Sequence, residues 1–175
     1  MPAAEAFFTA VSFTADALFA AVSFAAEALF TAVFFAADAL FAAVFRTADA
    51  FGVDRIYLCG ICACPPSAEI HKSALGAEQS VAWEHCDDTL AAVESLRAQG
   101  YVIVCVEQTE GAVSLEDFVR EDGRRYAVVF GNEVDGVQQS VADAADIVLE
   151  IPQWGTKHSL NVSVAVGVIL WHFRP

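Results

Sequence analysis

Ile151-Pro152-Gln153-Trp154-Gly155-Thr156-Lys157-His158-Ser159-Leu160-Asn161-Val162-Ser163-Val164-Ala165-Val166-Gly167 is the stretch on which the reading of this chain turns. Its first residue closes an apolar run over 147–151. Pro152, which has no N–H to give to a ladder, ends that run. A polar loop over 152–161 follows, and an apolar helix is predicted over 160–173. The stretch is therefore the exit from a buried strand, a loop, and the entry to a helix. Ser159 and Asn161 fall at the helix start, where unpaired backbone N–H groups point outward.

The same alternation repeats upstream. Residues 55–59 (RIYLC) read as a short buried strand, followed by a loop through Pro65-Pro66. Residues 68–77 (AEIHKSALGA) read as a short helix ending near Gly76, and 81–83 as a brief strand. Asp88 caps an amphipathic helix that Gly100 stops. Strands are expected at 101–106 and 126–130, and a helix at 137–145. Apolar strands alternating with helices imply an α/β fold with a parallel sheet covered on both faces, a three-layer α/β/α arrangement. In such sheets ligands bind beyond the carboxyl ends of the strands. That places the chemistry on three loops, 107–111, 131–136 and 152–161, the second of which holds Gly131 and Gly136 for close backbone approach.

The N-terminal third is different. Ala4-Glu5-Ala6-Phe7, Ala15-Asp16-Ala17-Leu18, Ala26-Glu27-Ala28-Leu29, Ala37-Asp38-Ala39-Leu40 and Ala48-Asp49-Ala50-Phe51 recur with a period of 11, as do Val11, Val22, Val33 and Val44. Eleven residues make three helical turns of roughly 3.67 residues each. With its alanine content, and no Pro or Gly between Ala3 and Phe51, the repeat predicts a long helix. Such a helix is apolar nearly all round and must be buried. It packs on the body or a second copy, enters a membrane, or has no evolved role. Each acid would cost ~2.5–3.5 kcal/mol near a bilayer centre, which argues against the membrane. The chain thus divides into an Ala/Phe-rich helical repeat over 1–45 and an α/β domain over 46–175.

The formal net charge is −14, of which residues 1–45 supply four units and the remaining 130 residues ten. An acidic body argues against non-specific phosphate binding, so any nucleic-acid contact needs a local basic patch or a partner, and DNA is not an expected ligand. The five cysteines, Cys59, Cys62, Cys64, Cys86 and Cys105, form an odd set in a chain without a secretory signal, which points to a reducing, cytoplasmic setting. Cys59, Cys62 and Cys64, with His71 and His85 further on, suggest a zinc half-site, but no second ligand pair at zinc spacing follows. Cys59 and Cys105 read better as small core hydrophobes, and no metal is expected.

These loops carry a resemblance. FGNEVDGV at 130–137 is similar to motif 2, and the stretch 151–167 to motif 3, of the SpoU/TrmH-type RNA 2′-O-ribose methyltransferases of the SPOUT superfamily. FRTADAFGV at 45–53 resembles the second half of motif 1, and IYLCGICACPP and EIHKSALGAE also resemble members of this family. The resemblance covers about residues 45–173. It implies a deep trefoil knot in the C-terminal half, a homodimer with its active site at the subunit boundary, and S-adenosylmethionine bound within the knot. The implied reaction is methyl transfer to a ribose 2′-hydroxyl of tRNA or rRNA. By motif, the cofactor would meet Glu107, Gly131, Asn132, Ile151, Ser159 and Leu160, and catalysis would use Arg46, Glu133, Ser159 and Asn161. A guanidinium at Arg46 would stabilise the developing alkoxide and hold the adjacent phosphate. Ser159 and Asn161 would orient hydroxyl and cofactor, and Glu133 would fix the loop or the arginine.

Taken singly, these residues have plainer explanations. Arg46 can be a surface charge, Asn132-Glu133 a turn and cap, and Ser159 a helix N-cap. Lys157 and His158 can be solvated rather than RNA phosphate contacts. The chain also departs from the family where motif 1 opens with Asn-x-Gly, since Leu40 and Ala42 stand there. Two alternative functions follow: a non-catalytic SAM- or RNA-binding relic with a damaged motif 1, and an interaction or membrane module driven by the N-terminal helix.

Overall fold

The structure is a computed structural model, and it describes residues 8–12, 18–19, 38–60, 64–131, 136–156 and 159–174. In chain order come β1 (Phe8–Ser12), β2 (Leu18–Phe19), α1 (Asp38–Ala50), β3 (Arg55–Gly60), α2 (Ala68–Ala74), α3 (Ala77–Ser80) and β4 (Ala82–Cys86). Then follow α4 (Thr89–Ala98), β5 (Tyr101–Val106), β6 (Val113–Ser114), β7 (Arg125–Gly131), α5 (Gln139–Asp143), β8 (Ile147–Glu150) and α6 (Val162–Phe173). Five strands form a sheet in the order β1-β7-β5-β8-β6, parallel at every pairing. Three more form the order β2-β3-β4, in which β3 and β4 are parallel and β2 is antiparallel.

Alternation along the central strands explains the layers. Tyr126, Val128 and Phe130 of β7 and Val104 of β5 face one core, with Phe45 and Ala48 of α1, Ile70 of α2 and Val166, Ile169 and Phe173 of α6. Ala127 and Val129 of β7 and Ile103 and Cys105 of β5 face the other, with Val93 and Leu96 of α4 and Val141 of α5. Ile56 and Leu58 of β3 join the first core and Cys59 the second, so both sheets share the same two layers. This is the expected parallel α/β/α sandwich. Phe118, Tyr126 and Phe173 pack ring against ring at centroid distances of 5.2–6.1 Å, which fixes the end of α6 on β7.

The long N-terminal helix is not what the described residues form. Residues 8–12 are the strand β1, paired with β7 from Phe8↔Ala127 to Ser12↔Gly131, and 18–19 are the strand β2. The helix begins only at Asp38. The rest of that expectation lies outside the described residues. The physical reason is tertiary: without β1, the outer edge of β7 would leave ladder N–H and C=O groups unpaired. A segment of Phe, Thr and Val is well suited to that edge whatever its alanine content favours locally.

Smaller differences have local causes. The helix expected over 68–77 is two, because Leu75 (φ 55°) and Gly76 (φ 93°) turn the chain between α2 and α3. β4 extends to Cys86, and the two-residue β6 is too short to show in the sequence. The Asp88 cap is present, its carboxylate accepting from the Ala91 N–H at 2.8 Å.

Cys59 and Cys105 are fully buried, as expected of core residues. Burial pushes the Cys105 thiol well up, whereas a hydrogen bond with Cys59, its ladder partner, outweighs burial and draws Cys86 down. Cys62 lies outside the described residues, and among those described no group of three or more His, Cys, Asp or Glu side chains is placed to hold a metal ion.

Glu78 of α3 is buried, with Oε1 2.6 Å from His71 Nδ1 and accepting from Gln79 Nε2 at 3.2 Å. Its Oε2 is enclosed with no partner among the described residues. Burial works to raise its pKa, but the bonds from His71, from its own backbone and from Gln79 prevail and hold it below the ordinary 4.5. A carboxyl with a lowered folded-state pKa adds stability that is present above the unfolded value and lost as the pH falls through the folded one. Thermal melts of the wild-type protein should therefore drop below about pH 4.5 more steeply than those of Glu78→Gln. Parallel acid limbs would show that Glu78 contributes no such linkage.

Candidate active site

A cavity of about 480 Å³ opens where the chain leaves β5, β7 and β8, at the carboxyl ends of three adjacent parallel strands. That is the position general to open α/β sheets. Its walls include Glu107 after β5, Gly131 at the end of β7, Ile151 after β8, and Ser159 and Leu160 before α6. Five of the six residues expected to meet a cofactor thus line one hollow. The sixth, Asn132, and the expected catalytic Glu133 lie outside the described residues, as do Lys157 and His158.

Two close approaches give the cavity its shape. Glu107 accepts from the Val137 N–H through Oε2 at 2.8 Å and from the Gln108 N–H through Oε1 at 2.9 Å. The carboxylate therefore fastens the segment after β7 to the segment after β5. Gly136 has φ 68° and no side chain, and a Cβ there would stand 2.2 Å from Glu107 Oε2. A Cβ on Gly131 would stand 2.1 Å from the Gly136 carbonyl carbon and 2.3 Å from the Val137 nitrogen. Only glycine permits this crossing of backbones.

Asn161 caps α6: its Oδ1 accepts from Ser163 N at 3.0 Å and from Ser163 Oγ at 2.6 Å. The cap is thus Asn161, not Ser159, and Ser159 is left to the cavity wall. Arg46 lies exposed on α1 and is not among the lining residues; neither is Asn161. Phe130, Val137 and Gln153 of the wall lie within motifs 2 and 3, but the sequence reading gave them no role, since they carry no chemical signal of their own. Apolar, half-buried Ile151 and Leu160 can receive a flat ring, while Glu107 and Ser159 can receive hydroxyl or amino groups. Volume and donor set suit an amphipathic, nucleoside-sized molecule such as S-adenosylmethionine.

A parallel sheet with a ligand-sized hollow at its carboxyl edge, closed by a glycine crossing, defines an open α/β protein with a small-molecule site at the usual place. The chain belongs to the SpoU rRNA Methylase family, whose model matches residues 41–171. It is 30% identical over 97 residues to the tRNA (guanosine(18)-2′-O)-methyltransferase of Borreliella burgdorferi, covering 55% of this chain and 44% of that one. Among solved structures it resembles the Aquifex aeolicus TrmH/SpoU tRNA modifying enzyme, at 28% identity and TM-score 0.68, over 78% of this chain and 68% of that one. It also resembles an AdoMet-bound rRNA methyltransferase from Sinorhizobium meliloti, at 26% identity and TM-score 0.71, over 78% of this chain and 51% of that one. The chain spans less than half the length of that Borreliella relative.

Proposed function

We propose that this chain is an S-adenosylmethionine-dependent RNA methyltransferase that methylates a ribose 2′-hydroxyl of tRNA or rRNA in the cytoplasm, acting as a homodimer. The observation that carries the reading is the cavity, in which Glu107, Gly131, Ile151, Ser159 and Leu160 converge from three loops. The relatives support it, two named for tRNA and one for rRNA. Bound there, S-adenosylmethionine would supply an electrophilic methyl group. The protein's part is then to hold the hydroxyl in line with that methyl and to stabilise the oxygen as it loses its proton. Ser159, Leu160 and Asn132 would meet the cofactor, Glu107 would hold the pocket loops in register, and Glu133 would fix the loop or Arg46.

Arg46 would serve the alkoxide and its phosphate. It stands outside the cavity wall of its own chain, so in the homodimer proposed here it would serve the site of the second copy. A dimer also accounts for α6, where Val164, Val168 and Trp171 lie exposed at helical spacing on one stripe. The knot of the C-terminal half is part of the proposal. It is supported by the crossing after β8, where α6 packs against β7 and α1 although β5 lies between β8 and β7 in the sheet. The domain boundary near residue 45 falls inside α1, so the division between repeat and catalytic domain is one of role more than of packing.

Calorimetric titration with S-adenosylmethionine or its demethylated product, followed by labelled methyl transfer to unmodified tRNA and rRNA, tests the reading. One site per chain and transfer to ribose are expected. A folded sample that binds neither ligand overturns it. One observation favours a second reading, a cofactor-binding relic without turnover: positions 40 and 42 lie inside α1, Ala42 fully buried, where the family opens motif 1 with Asn-x-Gly. Binding without transfer would select it.

A further inference from the structure

We propose that Trp154 is a stacking platform for an unpaired base of the RNA, at or beside the nucleotide to be methylated. This rests on the methyltransferase reading above. The loop between β8 and α6 has both ends in the cavity wall, Ile151 and Gln153 on one side and Ser159 and Leu160 on the other. Trp154 follows Gln153 directly and is 86% exposed, the highest value of any large hydrophobic side chain among the described residues. Beside it, a Cβ on Gly155 would meet nothing within 4 Å, so the bend stands clear of the body. A broad, rigid aromatic surface is thereby presented to solvent one residue from the pocket where the methyl donor would lie.

The charge distribution says why a ring is needed there. Arg55, Arg97, Arg120 and Arg124 are paired with Glu84, Asp146, Asp122 and Glu121. Arg125 donates to the Gln99 carbonyl and lies over Tyr101, and Arg174 donates to the Trp171 carbonyl and lies over its ring. Among the described residues only Arg46 and Lys72 stand outside these arrangements, in a chain of net charge −14. Few cations among the described residues are thus left over for phosphate. Stacking on an aromatic side chain needs no cation, tolerates any base, and is the common means by which proteins hold unpaired RNA. A second copy could also cover an indole, but the exposed stripe of α6 already offers it a surface, and that stripe lies off the cavity wall.

The test compares wild type, Trp154→Ala and Trp154→Phe as full chains. Wild-type tryptophan emission should be quenched by a single-stranded oligoadenylate, and the quenching should vanish in Trp154→Ala. In methyl transfer to unmodified tRNA and rRNA, Trp154→Ala should raise the KM for RNA by about five- to hundred-fold, with the Kd for S-adenosylmethionine unchanged and Trp154→Phe close to wild type. Equal quenching in wild type and Trp154→Ala overturns the proposal. So does an alanine variant that turns monomeric where the wild type is dimeric, since the indole would then be an interface residue. If wild type transfers no methyl to any RNA, the methyltransferase reading fails while the quenching comparison still decides the stacking.

Discussion

Gly131→Ala should lose S-adenosylmethionine binding by more than about ten-fold and melt several degrees below wild type. The added carbon would stand 2.1 Å from the Gly136 carbonyl carbon and 2.3 Å from the Val137 nitrogen. Both are backbone atoms, so no side-chain rotation relieves the clash. The segment at 136–137 must move, and Val137 N would leave its 2.8 Å bond to Glu107 Oε2. Overpacking of this kind costs ~1–3 kcal/mol, and for a chain of this size each kcal/mol is worth about 2–4 °C in Tm. Because Gly131, Gly136, Val137 and Glu107 all line the cavity, the same displacement deforms the pocket. Gly155→Ala is the control, since its Cβ would meet nothing within 4 Å. Calorimetry and thermal melts of the two variants read both effects. Undiminished affinity in Gly131→Ala would mean that the crossing does not shape the cofactor site.

Arg46→Ala should cut methyl transfer by about 10²–10³-fold, the usual effect of removing one donor to a developing oxyanion. Its Kd for S-adenosylmethionine should not change, because Arg46 is not part of the cavity wall. The melting temperature should also hold, since the side chain is exposed on α1. Arg46→Lys should recover only part of the rate, because an ammonium cannot hold a phosphate and an alkoxide in a planar fork. Single-turnover rates at saturating RNA separate this from weaker binding. A wild-type rate in Arg46→Ala would return Arg46 to the plain role of a surface charge.

The two variants draw on parts of the molecule that were unequally legible in the sequence. β5 has the predicted bounds, and the described residues that follow β5, β7 and β8 line one cavity, because apolar runs and the polar turns that stop them are local signals. The strand order β1-β7-β5-β8-β6 is set by pairing between distant segments and leaves no local trace. Ser159 is the cap that the sequence offers for α6, and geometry assigns the cap to Asn161, whose side chain can equally accept from the first turn. Glu107 was read as a ligand for cofactor, and its two bonds to backbone add a second task that only the approach of β5 and β7 reveals. The N-terminal repeat misled most. Its period of 11 fits a helix well, but an unfilled sheet edge outweighs local preference.

That edge strand has a counterpart elsewhere in the chain. β1 reads Phe8-Thr9-Ala10-Val11-Ser12, and Phe41-Ala42-Ala43-Val44-Phe45, nearly the same five letters, belongs to the helix α1. Phe19-Ala20-Ala21-Val22-Ser23 and Phe30-Thr31-Ala32-Val33-Phe34 repeat the pattern between them. In sequence the chain thus repeats the letters of its own edge, and a slip of eleven residues would set an equivalent pentad opposite β7. Point changes in β1 should therefore cost the sheet less than changes in β5, which has no such copies.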